Sequence, residues 1–115
     1  MKLYGIPNCD TVKKARKWLE TESVTYDFHD YKKLGADKNT LEEACELFGW
    51  ETVLNKRGTT WRKLDDTTKD SITDVSSAIA LMMEQPSMIK RPIAEHSNGM
   101  LIGFKEKEWL AALKG

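Results

Sequence analysis

The first thirty residues do most to restrict the fold. Leu3, Tyr4 and Ile6 make a short apolar run that breaks at Pro7-Asn8. A helical period follows at once: Val12, Ala15 and Leu19 share a face with Trp18, and Lys13, Lys14 and Lys17 fall largely off it. Val24-Thr25-Tyr26-Asp27-Phe28-His29 then alternates apolar and polar residues, as a half-buried strand does. A strand at about 2–6, a helix at about 10–22 and a second strand form a βαβ unit, whose strands lie parallel in one sheet.

The turn between the first strand and the helix carries Cys9. A thiol there meets the free N–H groups of the helix start and the positive end of the helix dipole, and both favour thiolate over thiol. Cysteines so placed can titrate in roughly the 3.5–7.5 range instead of near 8.5, and they act as nucleophiles near neutral pH. A small capping residue without chemistry also fits this place, since Asn8 or Asp10 can cap a helix. The position between a strand and a helix start, beside a turn-forming Pro-Asn, favours the reactive thiol. Three residues on, where a dithiol oxidoreductase carries its second cysteine, stands Val12. Any redox cycle at Cys9 is therefore monothiol. Cys45, the other cysteine, lies on an apolar stripe with Leu41, Ala44 and Phe48 and reads as a small buried hydrophobe.

Composition narrows the function classes. The 115 residues suffice for one domain with a core and are too few for two ordinary ones. Basic and acidic residues balance at 18 each, which argues against nucleic acid or an anionic membrane as the main partner. No apolar run approaches the ~20 residues of a membrane span. Two cysteines and no secretory signal fit a reducing cytosol, so the expectation is a single cytoplasmic, monomeric domain.

The middle of the chain reads as helical from about residue 33 to 90. One helix is expected at about 39–49, with Gly49 as its stop, and a shorter turn at about 50–56. A longer helix is expected at about 74–84, with Val75, Ala78, Ile79, Met82 and Met83 at core spacing and Pro86 beyond its end. Pro92–Glu95 and Met100–Phe104 flank Ser97-Asn98-Gly99, where Asn-Gly signals a hairpin with a type I′ turn. A last helix, at about 105–113, places Trp109, Leu110 and Leu113 on one face. The order β-α-β, helical block, β-β-α is the thioredoxin plan with an all-helical insertion: an α/β fold on a four-stranded mixed sheet.

Two basic segments bear on Cys9. One is Leu54-Asn55-Lys56-Arg57-Gly58-Thr59-Thr60-Trp61-Arg62; the other is Lys90-Arg91-Pro92, just before the hairpin. In a thioredoxin-like layout the residue opening that hairpin strand faces the active-site turn. A proline there is typically cis, and Arg91 would present a forked cation near the Cys9 sulfur. Arg57 and Arg62 fit either an anion site or an ordinary solvated surface. His29 and His96 read as surface residues, the cysteines and histidines lack zinc-ligand spacing, and no glycine-rich phosphate loop is present.

In combination, the Cys9 turn, the Asn55–Arg62 loop, the Gln85–Pro92 segment and Gly103-Phe104 resemble the ArsC (arsenate reductase)-like family, in particular its YffB-type branch, which neighbours the Spx regulators. The resemblance implies a thioredoxin-like (glutaredoxin-like) fold with a helical insertion. It also implies chemistry at one nucleophilic cysteine, with glutathione as co-substrate and glutaredoxin as a recycling partner. The arsenate reductases add three arginines that bind the oxyanion. Here Cys9 matches the nucleophile and Arg91 one arginine, while Asn55 falls at the second position and Phe104 near the third, beside Lys105. Spx regulators use a Cys-x-x-Cys switch, which Val12 removes. The implied function is a glutathione-dependent monothiol reductase acting on a small-molecule or protein disulfide, with no bound cofactor or metal. Cys9 is its nucleophile, and Asn8, Arg57, Arg62, Arg91 and Pro92 line the substrate or anion site. The alternatives are a glutathione- and glutaredoxin-coupled arsenate reductase and, in another class, an Spx-like protein-binding regulator.

Overall fold

The apolar run at the start of the chain forms strand β1 (Lys2–Gly5), and the helical period after Cys9 forms α1 (Asp10–Thr21). The computed structural model describes residues 1–114, which form two compact units. One comprises residues 1–34 with the C-terminal segment from Arg91, and the other residues 35–90.

The first unit is built on a four-stranded mixed sheet of β1, β2 (Asp27–Asp30), β3 (Ile93–His96) and β4 (Gly99–Ile102), in the order β2-β1-β3-β4. β1 and β2 are parallel, with Leu3 opposite Phe28, as the βαβ pattern requires. β3 runs antiparallel to β1, with Tyr4 opposite Ile93, and β4 antiparallel to β3. A one-turn helix α2 (Tyr31–Leu34) follows β2, and α8 (Glu106–Leu113) closes the chain. This is the thioredoxin-like α/β arrangement. The alternation of Leu3 and Tyr4 sends Leu3 into a core with Ala15, Leu19, Ala94 and Trp109, all fully buried. Trp109 also donates its indole N–H to the Gly103 carbonyl at 2.9 Å, so its one polar atom is satisfied inside the core.

Three local readings are corrected in this unit. The second strand starts at Asp27, not Val24, because Ser23 takes a positive φ of 57° and the Val24 N–H donates to the Leu19 carbonyl, completing the helix end. The hairpin forms, but its turn residues are Ser97 and Asn98, since His96 pairs with Gly99. Neither turn residue has positive φ; Gly99, at φ 142°, takes the conformation a side chain would resist, and the turn is not type I′. On α8, Leu110 is exposed while Trp109 is buried, because successive residues point about 100° apart and only one can face the core.

The second unit is helical: α3 (Lys38–Phe48), α4 (Trp50–Val53), α5 (Thr59–Arg62), α6 (Asp66–Asp70), α7 (Val75–Glu84) and a 3-10 turn at Pro86–Met88. Asp37 caps α3 by accepting from the Asn39 N–H at 3.2 Å, and Gly49, at φ 86°, ends it. Asp74 and Ser77 form a reciprocal capping box at the start of α7. The buried face of α7 is Ala78, Ile79, Leu81 and Met82; Val75 and Met83, expected in the core, are exposed. Apolar residues surround so much of this helix that periodicity alone does not select the buried stripe.

Candidate active site

Cys9 is the N-cap of α1, in extended backbone conformation (φ −93°, ψ 127°). Its own N–H donates to the Ile6 carbonyl at 3.3 Å, which closes the turn, and its carbonyl accepts from the Lys13 N–H at 2.9 Å, which starts the helix. Gly5 lets the strand end and the helix approach closely. A Cβ at that position would lie 2.8 Å from a methyl carbon of Val12, a fully buried side chain that can give way only at a cost to packing. Where a helix start usually carries a capping oxygen, this one carries a half-buried sulfur.

Four influences hold this thiol below its ordinary pKa against a fifth. Burial is the largest single influence and pushes the pKa up. The Val12 N–H, the hydrogen bond from the Arg91 side chain, the Arg91 charge and the Thr11 N–H, in that order, push it down and together prevail. Val12 and Thr11 are the positions whose N–H groups an N-cap side chain addresses, so the helix start itself contributes two of the donors. Cys45 shows the opposite case: burial raises its pKa.

Arg91 reaches Cys9 through the sheet. Tyr4 pairs with Ile93, so Pro92 and Arg91 continue past the end of β3 toward the turn that follows β1. The Arg91–Pro92 peptide bond is cis. Pro92 is buried and its carbonyl accepts from the Gly103 N–H at 2.8 Å, so that carbonyl is engaged within the fold. Asn8, next to Cys9 in the chain, is exposed.

Cys9 and Arg91 thus meet in the sheet-bearing unit, with Asn8 and Pro92 next to them in the chain. Arg57 and Arg62 lie on the helical unit, both exposed, Arg57 in the loop before α5 and Arg62 at its end. Among the described residues no group of His, Cys, Asp and Glu could hold a metal ion. No helix among them is long and apolar enough to cross a membrane. Sequence reasoning did not name Val12, Thr11 or Gly5 as parts of the thiol site. The rule that an N-cap faces the N–H groups two and three residues on would have identified the first two.

The family model of the ArsC family matches residues 4–112. The solved structure of a protein named YffB is 54% identical, with a TM-score of 0.93 over 97% of each chain. An arsenate reductase (ArsC) related protein from Brucella melitensis is 46% identical, with a TM-score of 0.72 over 99% of this chain and 94% of that one. Among curated relatives, the global transcriptional regulator Spx of Streptococcus mutans is 30% identical over 96% of this chain and 81% of its own length.

Proposed function

The chain belongs to the ArsC family, and from that premise we propose that it is a monothiol reductase that uses glutathione and acts through Cys9. The observation that carries the reading is the sulfur at the start of α1. It is held toward thiolate by backbone N–H groups and Arg91 against the effect of burial, and no second cysteine stands three residues on. In the first step the Cys9 thiolate attacks a disulfide R–S–S–G, where G is the glutathionyl group. The Cys9–S–S–G bond forms, and R–S⁻ leaves and takes a proton from water. In the second step a glutathione thiolate attacks the glutathionyl sulfur, forming oxidised glutathione and returning Cys9 as thiolate. The net exchange is R–S–S–G plus glutathione giving R–SH plus oxidised glutathione.

Arg91 lowers the energy of Cys9 as attacking group and again as leaving group. Asn8 and Pro92, the chain neighbours of Cys9 and Arg91, take the role of orienting the incoming disulfide. Arg57 and Arg62 take an anion-binding role toward a carboxylate-bearing thiol. The site is expected to act without a bound metal or cofactor, in the cytoplasm and as a monomer.

Arsenate reduction would use the same cysteine, but only Arg91 of the three oxyanion arginines is in register. A protein-binding regulator whose Cys-x-x-Cys switch is removed by Val12 has no need of a stabilised thiolate, so the arrangement around Cys9 favours the reductase. The test is glutathione-dependent turnover of a small mixed disulfide, measured for the natural chain and for Cys9→Ser, with arsenate as a parallel acceptor. Turnover of the disulfide that is lost in Cys9→Ser supports the proposal. Turnover that survives in Cys9→Ser, or of arsenate alone, overturns it.

A further inference from the structure

Within the helical unit, two stretches distant in sequence are drawn together. Leu54 bridges Ile89 in antiparallel fashion, the Lys90 N–H donates to the Val53 carbonyl at 2.8 Å, and the Asn55 N–H donates to the Met88 carbonyl at 2.7 Å. Lys90 is thereby fixed beside the segment that follows α4. Asn55 then folds the chain back, its side-chain oxygen accepting from the Arg57 N–H at 3.1 Å. A Cβ at Gly58 would stand 3.2 Å from the Asn55 amide nitrogen, a tight contact that glycine avoids. The Lys56 ammonium lies over two indoles at once, 5.3 Å from the Trp50 ring and 5.5 Å from the Trp61 ring.

The result is an open pocket of about 360 Å³ with Lys56, Arg57, Lys90, Asn55 and Glu51 in its lining. Its size falls at the low end for small-molecule sites. Three cations alone would describe a general anion site. Glu51 changes that description, because its carboxylate repels a bare anion and attracts an ammonium group. A ligand carrying a carboxylate and an ammonium on one carbon matches both signs. Lys56 adds a reserve: a cation over indole rings is held weakly enough for an arriving carboxylate to compete for it.

We propose that this pocket binds the zwitterionic head of an α-amino acid or of a peptide ending in one. The ligand's carboxylate lies toward Arg57 and Lys90, and its ammonium toward Glu51. The inference deepens the anion-binding role given above to Arg57 and rests on that reading for this residue alone; it involves no bond-making at Cys9.

The experiment is a titration of the full chain, followed by amide and indole NMR, with S-methylglutathione, which has the zwitterionic head and no thiol. The same peptide acetylated on its amino group and inorganic phosphate are the comparison probes. Saturable shifts are expected at residues 51–57, at Lys90 and at the Trp50 and Trp61 indole N–H groups. The acetylated peptide should bind about fivefold more weakly, the effect of losing one partly exposed charge pair. Glu51→Gln should erase that difference, and Arg57→Gln should weaken both peptides. Equal affinity for the two peptides, phosphate binding as tight as the zwitterion, or shifts confined to other residues would each overturn the inference. Cys9→Ser should bind the probe unchanged, so an inert Cys9 with a working pocket refutes only the reductase reading. A reactive Cys9 with a silent pocket refutes only this one.

Discussion

Replacing Arg91 by Gln removes two of the four influences that favour the Cys9 thiolate, the hydrogen bond and the charge, and leaves burial and the two N–H groups in place. An opposite charge at contact range moves a pKa by roughly 1–3 units, so its loss raises the Cys9 midpoint, and the half-exposed position of Cys9 keeps that rise at the low end of what such a charge can do. Well below the midpoint the thiolate fraction then falls about tenfold. The remaining thiolate is more basic and, at a Brønsted slope of about 0.4–0.5, roughly threefold more nucleophilic. Well below both midpoints Cys9 alkylation should therefore slow by about threefold, and above them it should run somewhat faster in the variant. The assay is the pH profile of iodoacetamide labelling at Cys9, read by peptide mass. A crossing of the two profiles identifies a change in ionisation. An unmoved midpoint, or a uniform slowing at every pH, would refute the assignment of Arg91 to the thiol site.

The close approach at Gly5 makes a second prediction. Gly5→Ala must displace Val12, costing about 1–3 kcal/mol of overpacking, and moves the Val12 N–H off the sulfur, so the urea midpoint should fall and the Cys9 midpoint rise together. Val12→Ala in the same background should restore both by making room. In the core, Trp109→Phe leaves the Gly103 carbonyl without its indole donor and opens a small void, for a loss of about 2–4 kcal/mol in denaturant unfolding. Cys9 labelling should hardly change in that variant while the chain is folded.

The sequence was most legible where structure is local. The βαβ opening was readable because alternation and helical period both lie within thirty residues, and Cys9 could be assigned to the helix start for the same reason. Side-chain direction was less legible. Val75, Met83 and Leu110 fit apolar periods yet are exposed, because a helix with apolar residues on more than one side does not declare which side is buried. The start of β2 and the turn at Ser97-Asn98 depended on single backbone conformations, at Ser23 and Gly99, that composition does not announce. The meeting of Arg91 with Cys9 followed from strand order, since β3 pairs with β1 and carries Arg91 to the end of the sheet. The Lys56 contacts with Trp50 and Trp61 and the position of Lys90 beside them were not legible, because they depend on the pairing of Leu54 with Ile89 across the helical unit.

The central claim is that Cys9 is a single reactive thiol that takes glutathione and gives it up to a second glutathione. Intact-mass analysis after incubation with oxidised glutathione, followed by reduced glutathione, tests it directly. One glutathione adduct is expected, located by peptide mapping at Cys9 and absent from Cys45, and reduced glutathione should remove it with release of oxidised glutathione. A chain that stays unmodified, an adduct at Cys45 in preference to Cys9, or an adduct at Cys9 that reduced glutathione cannot remove would contradict it.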